Sequence, residues 1–163
     1  MEYQKIEPGD DANIEKLSAV AVEIVKDYYD GIIGPAMNDY MIEMFQRVPA
    51  IRHQLKDGYR YWFVKKEESI LGFFAYYPRG EMLYLSKFYL YKDQCGKGYG
   101  RHMLAFLVNA AKDMGLKGIE LNVNRGNPTT HVYEKFGFKI VREEDNDIGG
   151  GFIMDDYVYA LEI

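Results

Sequence analysis

The feature that most constrains this chain is a glycine-rich segment between two stretches of different hydrophobic period. Residues 82–91 alternate as a strand does, and the segment DQCGKGYG follows them. A helix of about four turns comes next, and its apolar side carries Met103, Leu104, Leu107, Val108, Ala111 and Met114. The strand 118–124 completes the unit. A strand, helix and strand connected in this way should lie with the two strands parallel in one sheet.

The period of the apolar residues changes at Gly58. Before it, the i, i+3, i+4, i+7 spacing predicts helices over 13–31, 38–47 and 49–58. After it, strands are predicted over 59–66, 69–77 and 82–91, joined by short turns as an antiparallel meander. A short helix over 127–135 and strands over 138–141 and 152–161 end the chain. The predicted class is α+β (mixed α/β), with one central mixed, mostly antiparallel sheet flanked by helices.

Composition limits the classes of partner. The 163 residues are 48% hydrophobic and show no repeat or linker, so we expect a single domain over 1–163. A net charge of -5 gives no overall attraction for nucleic acid. The single cysteine, Cys95, excludes an internal disulfide and fits a reducing compartment. No signal peptide or membrane span is evident in the sequence, so a cytoplasmic location without membrane association is expected.

The glycine-rich segment can bind an anion. Gly96, Gly98 and Gly100 lie where a strand passes into a helix, so backbone N–H groups and the positive end of the helix dipole can face a phosphate. Lys97 and Arg101 add positive charge there. A tight turn without a ligand is the structural alternative. The spacing matches neither a P-loop nor a dinucleotide fingerprint, so ATP and NAD are not favoured.

Three segments together resemble the Gcn5-related N-acetyltransferase (GNAT) family. They are LSKFYLYKDQCGKGYGRHMLAFLVNAAKDMG, IELNVNRGNP and VYEKFGFKIV, and they occur in order at the family's spacing. The family's loop pattern is Q/R-x-x-G-x-G/A. Cys95 stands here where Gln or Arg is expected, which should weaken cofactor binding slightly rather than abolish it. The resemblance implies acetyl-coenzyme A (acetyl-CoA) as the co-substrate.

By this resemblance, the cofactor contacts lie in the glycine segment and in the strand before it. The pyrophosphate would be held by the loop residues Cys95, Gly96, Lys97, Gly98, Tyr99, Gly100 and Arg101. The backbone of Phe88, Tyr89 and Leu90 would pair with the pantetheine arm as an added strand does, and an N–H there would stabilise the thioester oxyanion. A purely structural core strand is the alternative for this segment.

Tyr133 lies in VYEKFGF, where the resemblance implies a tyrosine close to the cofactor sulfur. A phenol of pKa about 10 can donate a proton to a leaving thiolate of pKa about 8.5, so Tyr133 is the predicted general acid. The alternative is a packed ring with its hydroxyl at the surface. Asn124 and Asn127 are expected to bind the cofactor's amides. Asn127 has a second interpretation as the N-cap of a helix that starts with Pro128.

A general base is not assigned from the sequence. Glu81, Glu120 and Tyr84 are candidates, and an exposed carboxylate at a sheet edge is the simpler interpretation of Glu120. The three histidines lack metal-ligand spacing, so no metal site is predicted.

The acceptor side is expected in the helical first half and in the late loop. An amine site can be lined by aromatic and methionine side chains of the first helices, although their helical spacing also fits a core role. These residues are Tyr28, Tyr29, Tyr40, Met37 and Met41. The carboxylates around Gly149–Gly151 fit a solvated hairpin tip. Their negative charge also suggests a cationic acceptor. The carboxylates are Glu143, Glu144, Asp145, Asp147, Asp155 and Asp156.

The predicted function is acetyl-CoA-dependent transfer of acetyl directly to a primary amine of a small molecule, with a polyamine among the candidates. Cys95 is not expected to carry the acyl group, because it lies in the phosphate loop. A peptide or protein N-terminus is the alternative acceptor, and a non-catalytic acyl-CoA sensor is the alternative outside enzymes. An exposed edge strand would permit a homodimer.

Overall fold

The computed structural model describes residues Met1–Ile163 and has a mixed α and β architecture. Its elements in chain order are β1 (Glu2–Ile6), α1 (Asp11–Ile33), α2 (Pro35–Phe45), α3 (Val48–Lys56), β2 (Arg60–Lys66), β3 (Ser69–Arg79), β4 (Met82–Leu90), a 3-10 helix (Lys92–Gln94), α4 (Tyr99–Asp113), β5 (Gly118–Asn124), α5 (Thr130–Phe136), β6 (Lys139–Gly149) and β7 (Phe152–Glu162). The strands form one seven-stranded sheet in the order β1-β2-β3-β4-β5-β7-β6. β4 and β5 are parallel, so the predicted α+β class and its parallel pair are both confirmed.

The chain divides into two compact units. Unit 1 comprises Met1–Tyr76 and Lys87–Cys95, and unit 2 comprises Tyr77–Ser86 and Gly96–Ile163. Strands β3 and β4 contribute residues to both units.

Unit 1 is built from the three predicted helices and the first strands. The Asp10 side chain starts α1 by accepting a hydrogen bond from the Asn13 amide at 3.2 Å. Gly34, at φ 87°, ends it. Together the helices and strands enclose an apolar core of Ile6, Ile14, Leu17, Val20, Ala21, Ile24, Ile51, Leu55, Tyr61, Phe63, Phe73 and Ala75. Burial of this face supplies the main stabilisation of the unit.

Unit 2 contains the crossover and the C-terminal hairpin. β4 and β5 pair in parallel through Met82–Gly118, Leu83–Ile119 and Tyr84–Glu120. A Cβ on Gly118 would lie 2.2 Å from the Leu161 carbonyl oxygen on β7, so only glycine permits this close approach. β5 and β6 both pair antiparallel with β7.

Three local predictions differ from the structure. β1 was not predicted, because only Ile6 of its five residues is buried and no apolar alternation marks it. β3 continues to Arg79, through residues predicted to form a turn. β6 extends to Gly149, so the predicted hairpin turns at Gly149–Phe152, and residues 143–147 lie on its first strand, paired with β7, and not at its tip.

Candidate active site

The glycine loop has the backbone geometry of an anion cradle. Gly96 has φ 77° and Gly98 has φ 83°, a region that L side chains rarely adopt. A Cβ added to either glycine would meet no atom within 4 Å, so the space above the loop is open. Glycine is therefore required here by the backbone conformation, and the open space suits a phosphate.

The first turn of α4 lies directly after this loop. Its N-cap is Gly98, which supplies no side chain to cap the helix, and the first turn contains no acidic residue. The helix N-terminus therefore has unsatisfied amides and a positive dipole end. Lys97 and Arg101 are exposed beside it.

Cys95 and the strand residues Phe88, Tyr89 and Leu90 belong to unit 1. A Cβ on Gly72 of β3 would lie 2.0 Å from the Tyr89 carbonyl oxygen, so glycine allows β3 to approach β4 there. β4 continues to Leu90, although its last pair with β5 is at Tyr84. Cys95 is exposed, and its Sγ lies 3.6 Å from the Tyr91 carbonyl oxygen.

Tyr133 lies on α5 in unit 2 and is 6% exposed. Its ring packs against Phe138 and Tyr159, with centroids 5.8 and 6.1 Å away. Gly137, at φ 116°, ends α5 immediately after this turn. Packing against these two rings therefore restricts the orientation of the Tyr133 ring.

The two asparagines bind parts of their own loop. Asn124 Oδ1 accepts a hydrogen bond from the Gly126 amide at 2.9 Å. Asn127 is 4% exposed, and its Oδ1 accepts from the Thr129 amide at 2.9 Å and the Thr129 hydroxyl at 2.7 Å. The prediction that Asn127 is the N-cap is wrong, because α5 starts at Thr130 with Thr129 as N-cap. Asn127 instead orders the turn before the helix.

The base candidates of the sequence analysis are engaged elsewhere. Glu81 is exposed and lies 3.1 Å from Lys117 Nζ. Glu120 Oε1 accepts from Arg79 at 2.9 Å and from Arg142 at 2.8 Å, so two guanidinium groups already occupy this oxygen. Burial raises the pKa of Tyr84 to about 12, which leaves its phenol protonated at neutral pH.

A buried carboxylate that the sequence reasoning placed on a hairpin tip lies on β7. Asp156 is 7% exposed, and mainly burial raises its pKa. Asn122 Nδ2 donates to both Asp156 Oδ2 at 3.3 Å and Glu144 Oε2 at 3.2 Å. Asn146 Nδ2 donates to the same two oxygens. Strand register could have revealed this cluster, since Glu144 and Asp156 are Cα partners.

The Tyr84 hydroxyl donates to Asn122 Oδ1 at 3.0 Å. The cluster of Asn122, Glu144, Asn146 and Asp156 is therefore linked to the last β4 residue that pairs with β5. We call these four residues the Asp156 cluster.

The tyrosines and methionines expected on the acceptor side are partly exposed, not buried in the core. This applies to Met37, Tyr40 and Met41 on α2 and to Tyr28 and Tyr29 on α1. The Tyr29 ring packs edge-on against Tyr89 of β4, with centroids 6.0 Å apart. An aromatic surface of this kind is available for ligand contact in unit 1.

Residues 21–138 match the acetyltransferase (GNAT) family, and this span is more than half of the chain. The protein belongs to the GNAT family. The match includes the glycine loop, α4 and α5.

Individual GNAT proteins resemble the chain to different extents. An uncharacterized N-acetyltransferase of Bacillus subtilis, YycN, is 33% identical over 84 residues, which cover 48% of this chain and 54% of that protein. The match thus spans about half the length of this curated relative.

Two solved GNAT structures share the fold. The PaiA N-acetyltransferase of Thermoplasma acidophilum, in complex with coenzyme A, has a TM-score of 0.80 and 20% identity over 100% of both chains. A GCN5-related N-acetyltransferase from Rhodopseudomonas palustris has a TM-score of 0.80 and 12% identity over 99% of this chain and 95% of its own.

Two further properties of this GNAT chain bear on the site. His53, His102 and His131 are all exposed on separate helices, and no group of three or more His, Cys, Asp or Glu side chains is arranged to hold a metal ion. No helix is both long and apolar enough to span a membrane.

Proposed function

We propose that this GNAT protein, as one domain over 1–163, is an acetyl-CoA-dependent N-acetyltransferase that acetylates a primary amine of a small molecule directly. The observation that carries the proposal is the glycine loop. It combines positive φ at Gly96 and Gly98, open space above both, and an uncapped α4 N-terminus. This is the chemistry that holds a pyrophosphate.

The residues present fit coenzyme A. The amides of Gly96 to Arg101 would hold its pyrophosphate, and the Lys97 and Arg101 side chains add positive charge. β4 extends beyond its last β5 pair, which supports a role for the backbone of Phe88, Tyr89 and Leu90 in binding the pantetheine arm. Asn124 and Asn127, which shape the loop after β5, are the proposed amide contacts. When bound, acetyl-CoA supplies the activated acetyl group.

The proposed transfer needs two proton movements. The amine nitrogen forms a bond to the acetyl carbon while the carbon–sulfur bond breaks, so the nitrogen loses a proton and the sulfur gains one. Tyr133 is proposed to donate the proton that the sulfur receives. Backbone N–H groups of β4 would stabilise the oxyanion, and positioning would supply much of the acceleration.

The Asp156 carboxylate is our candidate for accepting the amine proton, directly or through water. Its raised pKa makes it a better base than an ordinary exposed carboxylate. The Asp156 cluster is linked through Asn122 to Tyr84, where β4 and β5 stop pairing. Glu81 and Glu120 are less suited, because lysine and arginine partners engage them.

The proposal of a small-molecule acceptor rests on the partly exposed aromatic residues of unit 1. Tyr28 and Tyr29 have ring centroids 5.3 Å apart and can present π faces to an ammonium group. A polyamine is one candidate of this chemistry. Two alternatives are tested by the same assay. One is acetylation of a peptide or protein N-terminus, and the other is a non-catalytic acyl-CoA sensor.

The test is release of free coenzyme A thiol from acetyl-CoA with a panel of polyamines, amino acids, aminoglycosides and short peptides. Tyr133→Phe should lower kcat by about 10²-fold or more, as expected for loss of a general acid, with unchanged coenzyme A affinity. Tyr157→Phe, in the same unit, is the matched control and should retain activity. If the protein binds coenzyme A tightly but no amine causes release of free thiol from acetyl-CoA, the sensor function would be favoured.

A further inference from the structure

Unit 1 buries a lysine at an inward position of β4. Leu83, Leu85 and Lys87 alternate along this strand as its buried residues, and Lys87 is only 5% exposed. A buried lysine requires hydrogen-bond acceptors or a counter-ion. Lys87 forms no ion pair with a carboxylate, so its stabilisation comes from other groups.

Oxygen acceptors from the end of α2 and from α3 surround the amino group. Lys87 Nζ donates to the Phe45 carbonyl oxygen at 2.5 Å, to Gln46 Oε1 at 3.0 Å and to Gln54 Oε1 at 3.1 Å. An ammonium group has three N–H donors, so these contacts satisfy all of them. Both glutamines are buried and have further hydrogen bonds of their own, since Gln54 Nε2 donates to the Phe45 carbonyl oxygen and Ser18 donates to the Gln46 carbonyl oxygen.

These contacts make Lys87 a cap for α2 that comes from a distant part of the chain. Phe45 is the last residue of α2, and the last turn of this helix contains no basic residue. The final carbonyls of a helix lack intrahelical partners, and a positive charge there also complements the helix dipole. Lys87, on β4, supplies the donor, and below about pH 7 it also supplies the charge.

Burial lowers the pKa of Lys87 to about 7. The titratable group beside its amino group is a phenol. The Tyr61 ring centroid lies 5.2 Å from Nζ, the Tyr61 hydroxyl donates to Gln54 Oε1, and burial raises the pKa of Tyr61. This phenol is neutral at physiological pH and no carboxylate pairs with Lys87, so the amino group is near its titration midpoint at pH 7 and donates to the oxygens of Phe45, Gln46 and Gln54.

We propose that Lys87 is a positioning residue that fixes the carboxyl end of α2 to strand β4 and thereby orders the acceptor side of the active site. The helix that it caps carries Met37, Tyr40 and Met41, and the strand continues directly into Phe88, Tyr89 and Leu90. The consequence for catalysis rests on the proposed transferase function. The structural part, order in α2, does not depend on it.

Hydrogen exchange on the full chain tests the structural part. In Lys87→Met, the amides of α2 should exchange at least about tenfold faster, since hydrogen bonds to a charged group are lost. The amides of α4 and β5 should be unchanged. Lys16→Met, an exposed lysine on α1 with the same loss of charge, is the matched control and should leave α2 protected.

Gln54→Leu is the second variant, because it keeps Lys87 and removes one acceptor. It should raise α2 exchange by a smaller factor than Lys87→Met, and it covers the case in which Lys87→Met fails to fold. Unchanged α2 exchange in both variants, or a uniform increase throughout the chain, would overturn the proposal.

Kinetics test the link to the acceptor. With an amine that the wild type acetylates, Lys87→Met should raise the KM for the amine by about tenfold, and the Kd for coenzyme A should change by less than about twofold. An equal loss of affinity for both ligands would overturn the acceptor role. If the wild type acetylates no amine, the proposed function fails, and hydrogen exchange still decides whether Lys87 orders α2.

Discussion

Each unit of the molecule buries one lysine or acidic side chain on a strand, and the two are of opposite sign. Lys87 of unit 1 is 5% exposed, and Asp156 of unit 2 is 7% exposed. Neither forms an ion pair of its own. Burial lowers the pKa of Lys87 and raises the pKa of Asp156, so in both cases the neutral form is favoured.

The neighbours of the two groups differ. Lys87 faces the unsatisfied end of a helix, where a cation is useful. Asp156 faces amide donors and lies beside a second carboxylate, Glu144, which is held by Arg142. In both cases the buried group is hydrogen-bonded by neutral dipoles and is not paired with an opposite charge. The lysine is therefore expected to be needed for stability, whereas the aspartate is tolerated at a cost.

The largest expected effect is on the lysine side of the comparison. Lys87→Met should lower the free energy of unfolding by about 3 kcal/mol, because the hydrogen bonds from the buried amino group are lost and Gln46 Oε1 keeps no other donor. Urea denaturation at pH 8 measures this change. Wild-type stability in the variant would show that the amino group does not cap α2.

The pH dependence should sharpen the difference. Because the folded-state pKa of Lys87 is lowered to about 7, the unfolded chain binds more protons above that pH. The stability of the wild type relative to Lys87→Met should therefore rise by up to about 2 kcal/mol between pH 7 and pH 9. A flat difference over this window would contradict the lowered pKa.

The aspartate side should respond in the opposite direction. Asp156 has a raised folded-state pKa, so its contribution to stability falls as the pH rises from the ordinary aspartate value. Asp156→Asn should stabilise the protein by about 1 kcal/mol at pH 7 and have no such benefit near pH 3. Urea denaturation at both pH values measures this, and a less stable variant at pH 7 would mean that the charge is required.

The smallest effect is expected for Arg142, which is half exposed. It contacts Glu120 and Glu144 at 2.8 and 2.7 Å, in ion pairs that solvent screens. Arg142→Ala should cost less than about 1 kcal/mol. A much larger loss by urea denaturation would show that the Asp156 cluster depends on this guanidinium and not on its amide donors.

The sequence predicted the part of the site that local patterning controls. The glycine loop, α4 and the parallel strand β5 follow from turn chemistry and periodicity, and the structure has them at the expected positions. Lys87 was not singled out because a strand pattern does not reveal that a lysine at an inward position has partners on α2 and α3. Those partners are 33 to 42 residues away in sequence.

The C-terminal strands show the same limit. The carboxylates of 143–147 have the composition of a solvated turn, yet pairing with β7 makes them a strand. Likewise, β1 depends on its ladder with β2 and not on its own composition. In both strands, tertiary pairing outweighs local propensity.

The most direct test of the central claim is calorimetric titration of coenzyme A into the wild type, Gly98→Ala and Gly80→Ala. Gly80, at φ 61° in the β3–β4 turn, shares the positive φ of Gly98, so the two variants carry a similar backbone penalty. The wild type and Gly80→Ala should bind coenzyme A alike, whereas Gly98→Ala should bind at least about tenfold more weakly because alanine disfavours the positive φ that shapes the cradle. Equal affinity in all three proteins, or no binding by the wild type, would contradict the account.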